Sequence, residues 1–245
     1  MRGLSICVMM LFLLCGHARA EPACIDPTTL AHSTVSITRY FNDQERTAEP
    51  GVFGIRGTAW FLSPTLIVTA GHVAESMRLS GQDWTQLEIL DGEDKQSTSA
   101  RIVQLAGSYS ETLAVLELRT AFSHAQDLRI RTEPLVPEEH VVSLAYPANR
   151  LRFADGRFVQ YGHDDRVAGM ALLEMYDGND RLVLDHGASG APVVDCKGRV
   201  VAAVSSVFTT TMEFPSRAIR VSTAWGTPNV VSVPIQVLRD FVSAE

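Results

Sequence analysis

Short apolar or alternating runs recur along the whole 245-residue chain. They are Ser33–Phe41, Thr58–Leu62, Leu66–Thr69, Gln86–Leu90, Arg101–Leu105, Leu113–Leu118, Val141–Ala145, Leu182–Leu184, Val200–Val204 and Val230–Val233. Each has the length of a strand, and turn chemistry separates them: Ser63-Pro64, Asp91-Gly92, Asp155-Gly156, Asp177-Gly178 and Lys197-Gly198. Helical spacing of apolar positions is confined to the last dozen residues, where Pro234 opens the run as the start of a helix tolerates. The pattern predicts an all-β protein, a barrel or a sandwich, closed by a short C-terminal helix. No internal repeat or low-complexity segment interrupts it. The length allows one large all-β domain or two smaller ones.

The first twenty residues stand apart. MRGLSICVMMLFLLCGHARA places Arg2 ahead of an apolar run and ends in Ala18-Arg19-Ala20, the small-x-small pattern of a secretory cleavage site. Residues 1–20 are therefore expected to be a signal peptide, with the mature chain starting at Glu21 in a secreted or periplasmic setting. A membrane anchor is the competing reading, but the run is short for a bilayer span and no second stretch of spanning length follows. Leu14 before Cys15 is too bulky for the usual lipoprotein cleavage context. Loss of Arg2 and Arg19 leaves 19 basic residues against 28 acidic, a net charge of −9. That balance argues against nucleic acid or an anionic membrane as the main partner. Cys7 and Cys15 depart with the leader, and in an oxidising compartment Cys24 and Cys196 are expected to pair, two free thiols being the alternative.

Two stretches carry candidate chemistry. Residues 185–194 read DHGASGAPVV, where small residues around Ser189 let backbone amides approach a bound group. A plain glycine-rich turn uses the same residues. The second stretch, Gly57 to His72, reads as two strands around Ser63-Pro64, after which Ala70-Gly71-His72 brings an imidazole out where a strand ends. A ring held by a sheet and facing a cleft is what a general base needs. Taken together, T-A-G-H, an L-A-V-L strand at Leu113–Leu116 and G-x-S-G-x-P around Ser189 resemble the trypsin-like serine peptidases. Val233-Pro234-Ile235 and the residues to Phe241 look like the closing strand and helix of the bacterial protease-Do branch. The likeness spans about residues 33 to 242, and the chain is expected to lack that branch's peptide-binding domain.

The resemblance implies two six-stranded antiparallel β-barrels around a cleft, the first over about 31–130 and the second over about 131–233, with the terminal helix over about 234–243. It implies that Ser189 is the nucleophile, that His72 is its base, and that the amides of Gly187 and Ser189 form the oxyanion hole. Ala188 stands where the digestive branch has an aspartate that pairs with a newly cut N-terminus, so activation by that route is not expected. The family's catalytic aspartate precedes the L-A-V-L strand, where this chain has Glu111-Thr112; the matching position is Thr112, and Glu111 is the charged candidate for the third catalytic role. Carrying the register over puts Val183 and Val207 in a small, apolar substrate pocket.

Other groups are weaker candidates. His163-Asp164-Asp165 lacks the spacing of a closed metal site and reads as a solvated loop, Arg150, Arg152 and Arg157 read as a solvated face, and His186 is a loop histidine beside the oxyanion turn. No metal or cofactor is implied. The leading expectation is a serine endopeptidase acting on proteins or peptides. A protease-fold binding protein that has lost catalysis and an esterase or transferase on the same scaffold are the alternatives.

Overall fold

The computed structural model describes residues 24–92, 94–108, 111–163, 167–178, 184, 186–207, 209–214, 217–222 and 228–239. Two closed six-stranded antiparallel barrels organise the chain. The first is built from β1 (Thr34–Tyr40), β2 (Gly54–Ser63), β3 (Leu66–Ala70), β4 (Thr85–Asp91), β5 (Asp94–Ser108) and β6 (Glu111–Leu118). The second uses β7 (His140–Ala145), β8 (Arg152–Tyr161), β9 (Ala171–Tyr176), β10 (Pro192–Asp195) and β11 (Val200–Val207). A separate hairpin of β12 (Thr209–Phe214) and β13 (Arg217–Ser222) then precedes its last strand, β14 (Val230–Pro234). Around the first ring the order is β1-β2-β3-β6-β5-β4, and around the second it is β7-β8-β9-β14-β11-β10. Counted within each barrel, the two orders are the same.

Three apolar cores explain why many runs read as continuous and not alternating. Phe61, Ile67, Ala114 and Leu116 fill the interior of the first barrel. Their strand neighbours Trp60, Val68, Leu113 and Val115 point the other way and pack with Val142, Leu144 and Val231 of the second barrel and with Leu238 beyond its last strand. A strand buried on both faces loses its period-two signature. The connection between barrels passes each core in turn, with Phe122 in the first interior, Leu128 in the interface and Leu135 in the second interior. A short 3₁₀ helix, Ile235–Leu238, follows β14 and buries Ile235 and Leu238 in the interface core.

The N-terminal segment forms a strap. Asp26 accepts a hydrogen bond from the Thr28 amide and opens a 3₁₀ helix, Pro27–Ser33, that leads directly into β1. Cys24, just ahead, is bonded to Cys196 beyond β10, with 5.0 Å between α-carbons and 172 residues between them in sequence. The strap thereby ties the entry of the first barrel to the second.

Several predictions of local structure need amending. Asp155-Gly156 is no turn but lies inside β8, with Asp155 opposite Val142 on one side and Tyr176 on the other. A β-carbon on Gly156 would overlap the Glu174 carbonyl, so glycine here serves close strand approach and not chain reversal. Arg157 of the same strand keeps a partly exposed side chain, as expected, and is also bonded to the buried Glu174 and to Glu138. Arg150 and Arg152 are exposed, as is His163, while Asp164 and Asp165 lie outside the described residues.

Candidate active site

The first barrel presents His72 at the start of α1 (Gly71–Ser76), the six-residue helix that follows β3 without an intervening loop. Ala70 pairs with Leu113 on β6, and Val73 and Ala74 sink into the barrel core, which fixes the helix and leaves His72 half-buried. Gly71 meets β6 so closely that a β-carbon there would overlap the Thr112 hydroxyl. The Thr112 side chain therefore stands one residue from the histidine. Glu111 opens β6 opposite Ser108, but its side chain lies outside the described residues.

The second barrel presents Ser189 in the turn ahead of β10. Ala188 is buried among Val193, Val201 and Val204, which anchors the turn from beneath. The Gly190 amide donates to the Val204 carbonyl at 2.7 Å, and the Val204 amide donates to the Ala191 carbonyl at 2.8 Å. Gly187 and Gly190 have φ of +96° and +90°, in the left-handed region that favours glycine. Ser189 Oγ donates to the Ser205 carbonyl at 3.1 Å. The pairing of β11 with β14 shifts register between Val204 and Ser206, a bulge centred on Ser205.

Contacts across the barrel interface set these two pieces side by side. The Thr58 amide on β2 donates to the Ser189 carbonyl at 3.0 Å, and the Thr58 hydroxyl donates to the Gly187 carbonyl at 2.6 Å. The α-carbon of Gly190 lies against the Thr58 carbonyl, the Thr69 hydroxyl and the Ala70 amide, leaving no room for a side chain. Ala70 is two residues before His72. The loop after β7 completes the wall: a β-carbon on Gly187 would lie 3.2 Å from the Tyr146 carbonyl oxygen, and the loop's Ala148 and Asn149 adopt positive φ. The Ser36 hydroxyl of β1 donates to Asn149 Oδ1 at 2.8 Å across the same interface.

The remaining expected residues are distributed as follows. His186 is exposed beside Gly187, Val207 ends β11 with its side chain outside the described residues, and Val183 lies outside them altogether. Cys24, Cys196 and His140 form a grouping of metal-binding residue types, yet both sulfurs are spent in the disulfide. A cavity of about 320 Å³ beside that bridge is lined by Arg131, Glu139, Asp195 and Arg199 among others, charges that already pair with one another. Thr58, Ser205 and Tyr146 escaped the sequence reading. The one signal available was a hydroxyl, Thr58, inside a strand whose neighbours are apolar on both faces.

Two antiparallel barrels with a histidine from one and a glycine-flanked serine from the other at their junction define a chymotrypsin-type peptidase architecture. Residues 57–202 match the family described as the trypsin-like peptidase domain, more than half of the chain, and the protein belongs to that family. No curated protein matches. Among solved structures, the inactive form of the Rv3671c protease aligns over 91% of this chain and 96% of its own at 16% identity, with a TM-score of 0.59. The active form of that protease, from M. tuberculosis, aligns over 89% of this chain and 82% of its own at 16% identity and a TM-score of 0.56. Deg5 aligns over 89% and 88% at 14% identity and a TM-score of 0.57. These likenesses establish a shared fold.

Proposed function

We propose that the protein is a secreted or periplasmic serine endopeptidase in which Ser189 is the nucleophile and His72 the general base. The observation that carries this reading is the junction itself: Thr58 of β2 bonds to the Ser189 and Gly187 carbonyls, and Gly190 packs against Thr69 and Ala70 at the end of β3, two residues before the histidine. Ser189 Oγ leaves the Ser205 carbonyl, passes its proton to His72 Nε2 and bonds to the carbonyl carbon of the substrate. The displaced electron pair on the carbonyl oxygen is met by the Gly187 and Ser189 amides. His72 returns the proton to the amine as the C–N bond breaks; water, deprotonated by His72 in its turn, then bonds to the acyl carbon, and the ester bond to Ser189 breaks as His72 gives that proton back to Oγ. Val183 and Val207 are assigned to a small, apolar pocket, which favours substrates with a small aliphatic side chain before the cut.

The candidates for the group behind His72 are Thr112 and Glu111, which as strand neighbours face opposite ways and do not both serve; a carboxylate from elsewhere, or no third group, is the remaining alternative. The contact between the Thr112 hydroxyl and Gly71 supports Thr112. A hydroxyl orients the ring without stabilising the imidazolium, and loss of the acid in this class of enzyme costs on the order of 10⁴ in rate while leaving catalysis above water. Slow hydrolysis is therefore expected. Thr112→Asp should raise kcat, with Glu111→Gln unchanged; a fall of at least about a hundredfold in Glu111→Gln, on the scale of a lost catalytic group, gives the place to Glu111.

A fluorophosphonate probe tests the reading as a whole. Wild-type protein should be labelled at Ser189, with labelling abolished in Ser189→Ala and His72→Ala. The neutral Thr112 favours one second reading, a protease-fold binding protein without turnover. Folded wild-type protein that resists the probe at high concentration would establish that alternative. A labelled protein inactive on a peptide library but active on esters is an esterase.

A further inference from the structure

We propose that Thr58 is a positioning residue that locks the oxyanion turn of the second barrel to the first, an inference that rests on the serine-peptidase reading of the same site. Thr58 is fully buried, and each of its polar groups is engaged. Its amide donates to the Ser189 carbonyl at 3.0 Å, and its carbonyl accepts from the Thr69 hydroxyl at 2.7 Å. Its hydroxyl donates to the Gly187 carbonyl at 2.6 Å and accepts from the Tyr146 amide at 3.0 Å. The direction of these last two bonds is fixed by chemistry, because an amide N–H can only donate and a carbonyl can only accept. The hydroxyl proton therefore belongs to Gly187.

The consequence concerns peptide planes. Gly187 and Gly190 both sit at positive φ, where glycine moves among several wells with little resistance. An unrestrained turn of this composition can rotate a peptide and present a carbonyl where an amide is needed. Thr58 holds the carbonyls of Gly187 and Ser189, one on each side of the Ala188–Ser189 peptide, whose N–H is one of the two oxyanion donors. The plane between the two fixed carbonyls then has little freedom left. The Tyr146 amide, bonded to the same hydroxyl, extends the restraint to the loop that lies against Gly187. One side chain joins β2, the loop after β7 and the nucleophile turn.

Removing one oxyanion donor outright lowers kcat by about 10² to 10³, so loosening the Ser189 donor is expected to cost roughly tenfold to a hundredfold. Thr58→Val keeps the shape and deletes the hydroxyl, whereas Thr58→Ser keeps the hydroxyl and deletes the methyl. The Val variant should lose kcat by that factor with KM changed by less than about threefold, since the transition state and not the ground state uses these donors. The Ser variant should recover most of the loss. Amide hydrogen exchange in peptides covering residues 186–195 should quicken at least about tenfold in the Val variant and return toward wild type in Ser. Unchanged kcat in a folded Val variant, or equal impairment of Val and Ser, overturns the proposal. Should Thr58→Val fail to fold, Thr58→Ala is read by the same measurements. Should the wild-type protein prove inert to the phosphonate probe, the endopeptidase reading falls, and the exchange experiment alone decides whether the hydroxyl holds the turn: no quickening in Val ends it.

Discussion

Gly190 shows how tightly a single position can be specified at the barrel junction. Its φ of +90° already strains any residue with a β-carbon, and that carbon would also overlap the Thr58 carbonyl and the Thr69 hydroxyl. Gly190→Ala combines backbone strain with overpacking, each on the order of 1–3 kcal/mol. A loss of about 3 kcal/mol or more is expected, which for a chain of this size lowers Tm by roughly 6–12 °C. Differential scanning calorimetry measures it. Phosphonate labelling should fall more steeply than stability, because the displaced turn carries Ser189. The G-x-S-G pattern was legible in the sequence because glycine at such positions is a backbone requirement. Thr58 was not, because a threonine in a strand is ordinary until its partners are known.

At the scale of elements, the strap of residues 24–33 is held by one covalent bond and by its own packing. Leu30 is buried in the interface core, Ile25 packs at its edge, and the 3₁₀ helix passes straight into β1. In the chain-entropy account, a loop this long gives up to about 5 kcal/mol, although measured bridges typically give 2–4 kcal/mol. Cys196→Ser should therefore lower stability by about 2–4 kcal/mol and open the segment ahead of Leu30 to proteolysis, while the barrels keep their fold. Mass spectrometry of protein from an oxidising compartment should show no free thiol at Cys24 or Cys196. Finding two free thiols there rules the bridge out in that setting. The apolar runs mark β1 to β7, β11 and β14 but pass over β9 and β10, although both are buried throughout. They also miss β8, where Asp155-Gly156 carries a strong local turn signal and pairing with β7 and β9 prevails over it.

For the molecule as a whole, acid is the expected weak point. Asp195 is almost fully buried, and burial opposes its charge, but hydrogen bonds from the Arg199 amide and guanidinium and from the Lys197 amide outweigh it and hold the carboxyl below its usual range. Glu139 follows the same logic, its burial more than offset by the Arg131 guanidinium and the Val136 amide. A carboxyl whose pKa is lower folded than unfolded contributes stability that is complete above the unfolded value and is lost as pH falls through the folded one. Tm should accordingly vary little from these groups between about pH 5 and 8 and drop below about pH 4. Asp195→Asn should be less stable near neutrality and show a shallower acid slope. Equal slopes in the two proteins would take Asp195 out of the acid transition.

What the sequence by itself determined was local in origin: strand-length runs, turn residues, and a histidine and a serine in the order and setting of a trypsin-like peptidase. Such features are readable because propensity, periodicity and backbone need act over a few residues. The two barrels share one strand order without a detectable repeat, since a closed ring asks only for inward apolar residues and not for particular ones. Only the tertiary structure decided which apolar face meets the other barrel, that Thr112 abuts the start of α1, and that Thr58 reaches 129 residues along the chain to hold Gly187. Contacts of that kind depend on where two closed sheets come to rest against each other, and the pattern within either sheet does not carry that information.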